Sequence, residues 1–180
     1  MTQVTGRARE LLEQARERLG FVPNMYALMA HCPPLLEEYL EGYARFREQS
    51  GFSPEEQEVA FLSISVENRC HYCVAAHSTL ADSIPGLPAA VIDAIREGRP
   101  VPDQRLGALS EFGRELVRSR GAPSPEALQR FLAAGYGQEQ VLALLLAVGV
   151  KTLSNYANHL FGTPLDAIFE QRAWRKDARG

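Results

Sequence analysis

The sequence predicts an all-α protein, a single-domain helical bundle over residues 1–180, and three observations predict it. Apolar residues recur at three- and four-residue spacing along most of the chain. Helix starts built on Ser or Asp, and stops built on Gly, punctuate that pattern at short intervals. No alternating segment of convincing strand length appears, and no repeat or low-complexity linker divides the chain. With 180 residues, 46% hydrophobic and 23% charged, it falls in the ordinary range for one soluble globular domain.

The first helix carries Leu11, Leu12, Ala15 and Leu19 on one face, and Gly20 stops it. Beyond Pro23, Met25 to Ala30 reads as a short helix. Pro33-Pro34 opens a longer one, through Leu35, Leu36, Tyr39, Leu40, Tyr43 and Phe46 to Gly51. Ser53-Pro54-Glu55-Glu56 has the residues of a capping box, which predicts a helix from Pro54 towards Asn68. Its run Val59 to Val66, rich in β-branched and aromatic residues, also suits a buried strand; the cap decides for helix.

Pro88 to Arg96 and Asp103 to Arg120 follow as helices, separated by Gly98-Arg99-Pro100 and closed by Gly121. Ser124-Pro125-Glu126-Ala127 starts another, ending near Gly135. The last long helix spans about Gln138 to His159 and is apolar nearly all round between Val141 and Leu153, which places it in the core; Gly162-Thr163-Pro164 breaks it.

A net charge of −3, with Lys and Arg interspersed among Asp and Glu, leaves no basic stripe for nucleic acid. Residues Met1 to Leu19 lack the apolar centre of a secretory signal, and the longest apolar run, Val141 to Val150, is short of the roughly 20 residues that span a bilayer. The expectation is a cytoplasmic protein with no membrane or nucleic-acid partner. Three cysteines make no disulfide framework, and a close pair among normally reduced thiols points to redox or metal chemistry.

That pair is Cys70-His71-Tyr72-Cys73, followed by His77. Two thiols one helical turn apart can close a disulfide when the first sits at a helix start. The unpaired amides and positive dipole end there favour thiolate over thiol. His77, four residues after Cys73, shares its helical face, where an imidazole can exchange a proton with the sulfur, so Cys73 is the better-assisted thiol. A thioredoxin-like order would instead make the first cysteine, Cys70, the attacker. A carboxylate could orient His77, with Glu58 and Glu67 both candidates. Zinc competes for the pair. It would have to recruit Cys70, Cys73, His77 and His71, His31, Cys32 or His159, because a second Cys-x-x-Cys is missing.

Glu58, Cys70-x-x-Cys73 and His77 together resemble the signature of alkylhydroperoxidase D-like proteins in the carboxymuconolactone decarboxylase superfamily. The resemblance is strongest over Ser53 to Asp82. The segment Asn155-Tyr156-Ala157-Asn158-His159 through Gly162-Thr163-Pro164-Leu165-Asp166 is similar to peroxidase-related members. The resemblance implies an all-α fold, a homo-oligomer, and an antioxidant oxidoreductase that reduces hydroperoxides with thiols and needs neither metal nor flavin. It implies that Cys73 becomes the sulfenic acid, that Cys70 supplies a proton and closes a redox-active disulfide, and that Glu58 with His77 relays protons. A lipoyl-bearing or thioredoxin-like dithiol partner would be the reductant. The sequence departs from the best-known members in having Tyr72 where a histidine precedes the second cysteine, with His71 one residue earlier.

Two other functions compete: a decarboxylase-like enzyme acting on a muconolactone-type acid, whose relatives generally lack the cysteine pair, and a non-enzymatic redox-sensing module. His159, with Asn155 and Asn158, could face the thiols but reads as a helix-end cap; Cys32 reads as a small buried hydrophobe, and the Tyr39, Tyr43, Phe46 stripe, which could line a substrate channel, reads as core.

Overall fold

The computed structural model describes residues 6–175, and among these the chain is helical with no strand. Helix α1 covers Arg7–Leu19, α2 Asn24–Met29, α3 Pro33–Gln49, α4 Pro54–Glu67, α5 His71–Asp82, α6 Ala89–Glu97, α7 Gln104–Arg118, α8 Pro125–Ala133 and α9 Gln138–Phe161; a 3-10 turn follows at Ala167–Arg172.

The helix starts follow the local chemistry. Ser53 accepts the Glu56 N–H at 3.3 Å while the Glu56 carboxylate accepts the Ser53 N–H at 3.0 Å, so the capping box forms and α4 is a helix despite its β-branched run. Asp103 and Ser124 each cap α7 and α8 by accepting a backbone N–H three residues on. Helix α4 is the centre of the fold. Every residue from Glu56 to Val66 is buried, because α5, α6, α7 and α9 pack around it. Helix α3 lies across α9, and α5 is covered by the 3-10 turn.

Two readings of single residues change. Cys32 is exposed, because it stands at the N-cap of α3 outside the helical faces that pack. His159 lies within α9 rather than at its cap: the helix continues to Phe161, and the N–H of Gly162 takes the Asn158 carbonyl. Its ring is exposed and stacks on Tyr156.

Helix α9 is long and apolar enough by composition to cross a bilayer, which counting only Val141 to Val150 does not reveal; a core helix of a soluble protein meets the same criterion. One side carries exposed Leu142, Leu145, Leu146, Leu160 and Phe161. The opposite side is different in kind: Lys151, Ser154, Asn155 and Asn158 are all buried. At spacings of three and four they form a polar stripe facing α4 and α5.

The crossing of α3 over α9 is close because residue 42 is glycine. A Cβ there would stand 2.9 Å from Cγ2 of Val150, a stiff β-branched side chain one residue before Lys151. Gly42→Val is therefore expected to push the helices apart and to cost about 1–3 kcal/mol, read as a lower denaturant midpoint.

Candidate active site

The turn between α4 and α5 places the first thiol. Arg69 takes a left-handed conformation with φ 57°, and the N–H of Cys70 bonds the Ser65 carbonyl at 3.0 Å, which reverses the chain and leaves Cys70 as the N-cap of α5. Cys73 follows in the first turn, among amides that the helix leaves unpaired. Both cysteines are free thiols, with Cys70 0% and Cys73 2% exposed.

The two sulfurs share a donor, the Asn158 amide Nδ2, at 3.4 Å from Cys73 and 3.8 Å from Cys70. Ser154 Oγ lies 3.9 Å from Cys73. The neighbouring Cys73 sulfur, together with burial, pushes the Cys70 thiol far up. Burial also works against ionisation of Cys73. The Cys70 thiol and the charge of Lys151 outweigh it and hold Cys73 well below the usual thiol range. Of the two sulfurs, Cys73 is the one whose ionisation its surroundings favour.

Behind the sulfurs runs a chain of polar groups through the core. Glu58 accepts from Arg47 with Oε1 and lies 2.9 Å from His77 Nδ1 with Oε2. The other ring nitrogen, Nε2, is 2.9 Å from Lys151 Nζ. Burial alone would raise the Glu58 carboxyl, yet His77 and Arg47 hold it below its ordinary value. An ionised carboxylate only accepts, so the proton of His77 is on Nδ1. Burial and the neighbouring Lys151 lower the His77 pKa, which leaves the ring neutral and Nε2 an acceptor for the Lys151 N–H. Phe61 floors the array, its ring centroid 5.0 Å from that of His77, 5.5 Å from Lys151 Nζ and 5.0 Å from Arg47 Cζ. Tyr43 stacks on Phe61 at 5.2 Å, and its hydroxyl accepts from Arg47 at 2.6 Å.

Cys70, Cys73, His77 and Glu58 thus meet in one buried cluster. Direct proton exchange between His77 and Cys73 is not what the contacts give: both ring nitrogens are taken, by Glu58 and by Lys151. Glu67 is elsewhere, paired with Arg114 and Arg118. His71 turns outward to the Trp174 carbonyl at 2.7 Å. Tyr72 reaches Asp166, which also accepts the Asn24 N–H at 3.1 Å, so it clasps α5 to α2 and to the chain after α9. Among the described residues no group of three or more His, Cys, Asp or Glu is arranged to hold a metal ion. A surface cavity of about 740 Å³ opens between α7, α8 and residues 98–101, and none of the thiol-cluster residues lines it.

Sequence reasoning passed over Arg47 and Lys151, and named Asn158 only beside His159 as a residue that could face the thiols. A signal was present for Lys151. Lys151 is the only charged residue between Val141 and Asn158, and Lys151, Ser154, Asn155 and Asn158 keep the spacing of one helical face.

A pH dependence of stability follows. An unfolded histidine binds a proton near its ordinary 6.5, whereas buried His77 stays neutral to lower pH. Between those values the unfolded state holds the extra proton, so stability falls as pH drops below about 6.5. Glu58, with its lowered pKa, adds a further loss in the same direction below 4.5. Thermal unfolding from pH 7 downwards should show this decline, and His77→Asn should flatten its upper part.

Solved structures share this architecture. The alkylhydroperoxidase AhpD core structure, an uncharacterized peroxidase-related protein from Ralstonia eutropha, superposes with a TM-score of 0.79 at 21% identity, covering 90% of this chain and 86% of that one. The chain has the alkylhydroperoxidase D-like fold. An uncharacterized peroxidase-related protein from Silicibacter has it too, at TM-score 0.78 and 19% identity, over 94% of this chain and 90% of its own. So does the debrominase Bmp8, solved as a cysteine-to-alanine variant with 2,3,4-tribromopyrrole, at TM-score 0.73 and 14% identity, over 90% and 87% of the two chains. No family model and no curated protein matches the sequence. Within the alkylhydroperoxidase D-like fold, the thiol cluster sits where α4, α5 and α9 meet.

Proposed function

We propose that the chain is a thiol-dependent hydroperoxide reductase. The Cys73 thiolate attacks the terminal peroxide oxygen, the O–O bond breaks, and Cys73 becomes a sulfenic acid while an alkoxide leaves and takes up a proton to become the alcohol. Cys70 condenses with it: the S–S bond forms, and hydroxide departs with the Cys70 proton as water. An external dithiol, lipoyl-bearing or thioredoxin-like in class, returns two electrons and resets the pair. Glu58 and His77 stand behind the sulfurs as a hydrogen-bonded pair whose outer nitrogen, Nε2 of His77, reaches Lys151.

The observation that carries this reading is that the Cys70 and Cys73 sulfurs are buried together at the start of α5 under one shared donor, the Asn158 amide. The Asn158 Oδ1 atom is buried without a hydrogen-bond partner among the described residues, an acceptor beside Cys73 for a hydroperoxide O–H. A second copy of the chain against the exposed leucines of α9 belongs to the same proposal.

The test is thiol counting by mass spectrometry before and after one equivalent of an organic hydroperoxide, followed by turnover with a supplied dithiol. Loss of two thiols as a Cys70–Cys73 disulfide, with Cys32 unchanged, and repeated turnover support the reductase. Disulfide formation without turnover would favour the redox-sensing module. Thiols that stay free would favour a decarboxylase-like reaction.

A further inference from the structure

Lys151 is 1% exposed, and no carboxylate lies within ion-pairing distance of it among the described residues. Among those residues its ammonium group has one hydrogen bond, to the imidazole Nε2 of His77 at 2.9 Å. A buried cation is costly unless an anion balances it. Glu58 is already engaged by Arg47 and by the far side of the His77 ring. The nearest thiol to Lys151 along the packed helices is Cys73: His77, which bonds Lys151, stands one turn after Cys73 on α5, and Ser154, one turn after Lys151 on α9, lies 3.9 Å from the Cys73 sulfur.

The chemical type of the residue adds to this. The sequence contains seventeen arginines and two lysines, Lys151 and Lys176, so the buried cation is of the scarce kind. Arginine keeps its proton under all ordinary conditions, whereas an ammonium can surrender one. His77 is poorly placed for that task, since its one proton is committed to Glu58 and Nε2 is an acceptor.

We propose that Lys151 is the proton donor to the oxygen that leaves when Cys73 is oxidised, with His77 and Glu58 positioning its ammonium group. The proposal rests on the hydroperoxide reductase reading and assigns one of its steps. As Cys73 bonds the terminal oxygen and the O–O bond breaks, the departing alkoxide takes a proton from Lys151, giving an alcohol and a neutral amine. Disulfide formation releases water that carries the Cys70 proton. The dithiol that reduces the disulfide supplies two electrons and two protons, one restoring the Cys70 thiol and the other the Lys151 ammonium, so the cycle closes.

The experiment compares two oxidants on wild type, Lys151→Arg and Lys151→Met. An alkyl hydroperoxide expels a basic alkoxide that needs a proton, whereas a peroxy acid expels a carboxylate that does not. Lys151→Arg keeps the charge beside the thiolate and removes the available proton. Its rate with the alkyl hydroperoxide is expected to fall on the order of a hundredfold, and its rate with the peroxy acid by less than about tenfold. In Lys151→Met, raising the pH should restore the peroxy acid rate by re-forming the thiolate, and should leave the alkyl hydroperoxide rate low. Equal losses with both oxidants, or no loss in Lys151→Arg, overturn the proposal while leaving the reductase intact. A wild type that reduces neither oxidant overturns the reductase reading itself. If Lys151→Met does not fold, Lys151→Arg carries the comparison alone.

Discussion

Cys73→Ser is expected to reduce hydroperoxide turnover to background, a loss of at least about a thousandfold, because a serine hydroxyl is not ionised at neutral pH and cannot form a sulfenic acid. Cys70→Ser should behave differently. It keeps a hydroxyl that can donate to the Cys73 sulfur, so the first oxidation survives and a single sulfenic acid accumulates that dimedone traps at Cys73. What it loses is the disulfide, and with it repeated turnover. Stopped-flow oxidation with mass spectrometry of the trapped product separates the two variants. Trapping at Cys70 in the Cys73→Ser protein would invert the assignment and return the thioredoxin-like order. Cys32 is exposed and free, so both measurements are made in a Cys32→Ser background.

The second large effect is expected at Glu58, which is 2% exposed and accepts from two donors, Arg47 and His77. Glu58→Ala strands a half-buried guanidinium and the His77 N–H together, which is expected to cost about 3–5 kcal/mol in denaturant unfolding. Glu58→Gln has the same shape but one acceptor oxygen and an NH₂ that must face a donor, so one contact is lost and about 1–3 kcal/mol with it. Its peroxidase rate is expected to drop by on the order of a hundredfold, since His77 is no longer held with its proton on Nδ1. A Glu58→Gln protein as stable as wild type would mean that the proton sits on Nε2 instead, and that Lys151 accepts from the ring.

Those two predictions draw on different kinds of information. That Cys70 opens a helix and that Cys73 and His77 share its face could be read directly, since both follow from spacings within one turn. The capping box of α4 and the stops after α1 and α6 were legible for the same reason: a cap satisfies amides three residues away, so its signature is local. Glu58 could be named against Glu67 only through the family pattern, because 19 residues separate it from its His77 partner. Nothing in the local pattern distinguishes two carboxylates on one helix until the faces they present are known.

Local sequence thus determined the helical plan, the order of the elements, and the presence of a thiol pair at a helix start. Tertiary structure alone decided what faces that pair. Helix α9 reads as apolar nearly all round between Val141 and Leu153, and its polar stripe gains its partners only when packing against α4 and α5 buries Asn158 against the sulfurs and Lys151 against His77. Arg47 joins through the crossing of α3 over α9, which Gly42 allows to be close. The physical reason is common to all three. Hydrophobic periodicity specifies which face of a helix turns inward, while a buried charge is tolerable only through partners on other helices, here 11 residues away for Arg47 with Glu58 and 74 for Lys151 with His77.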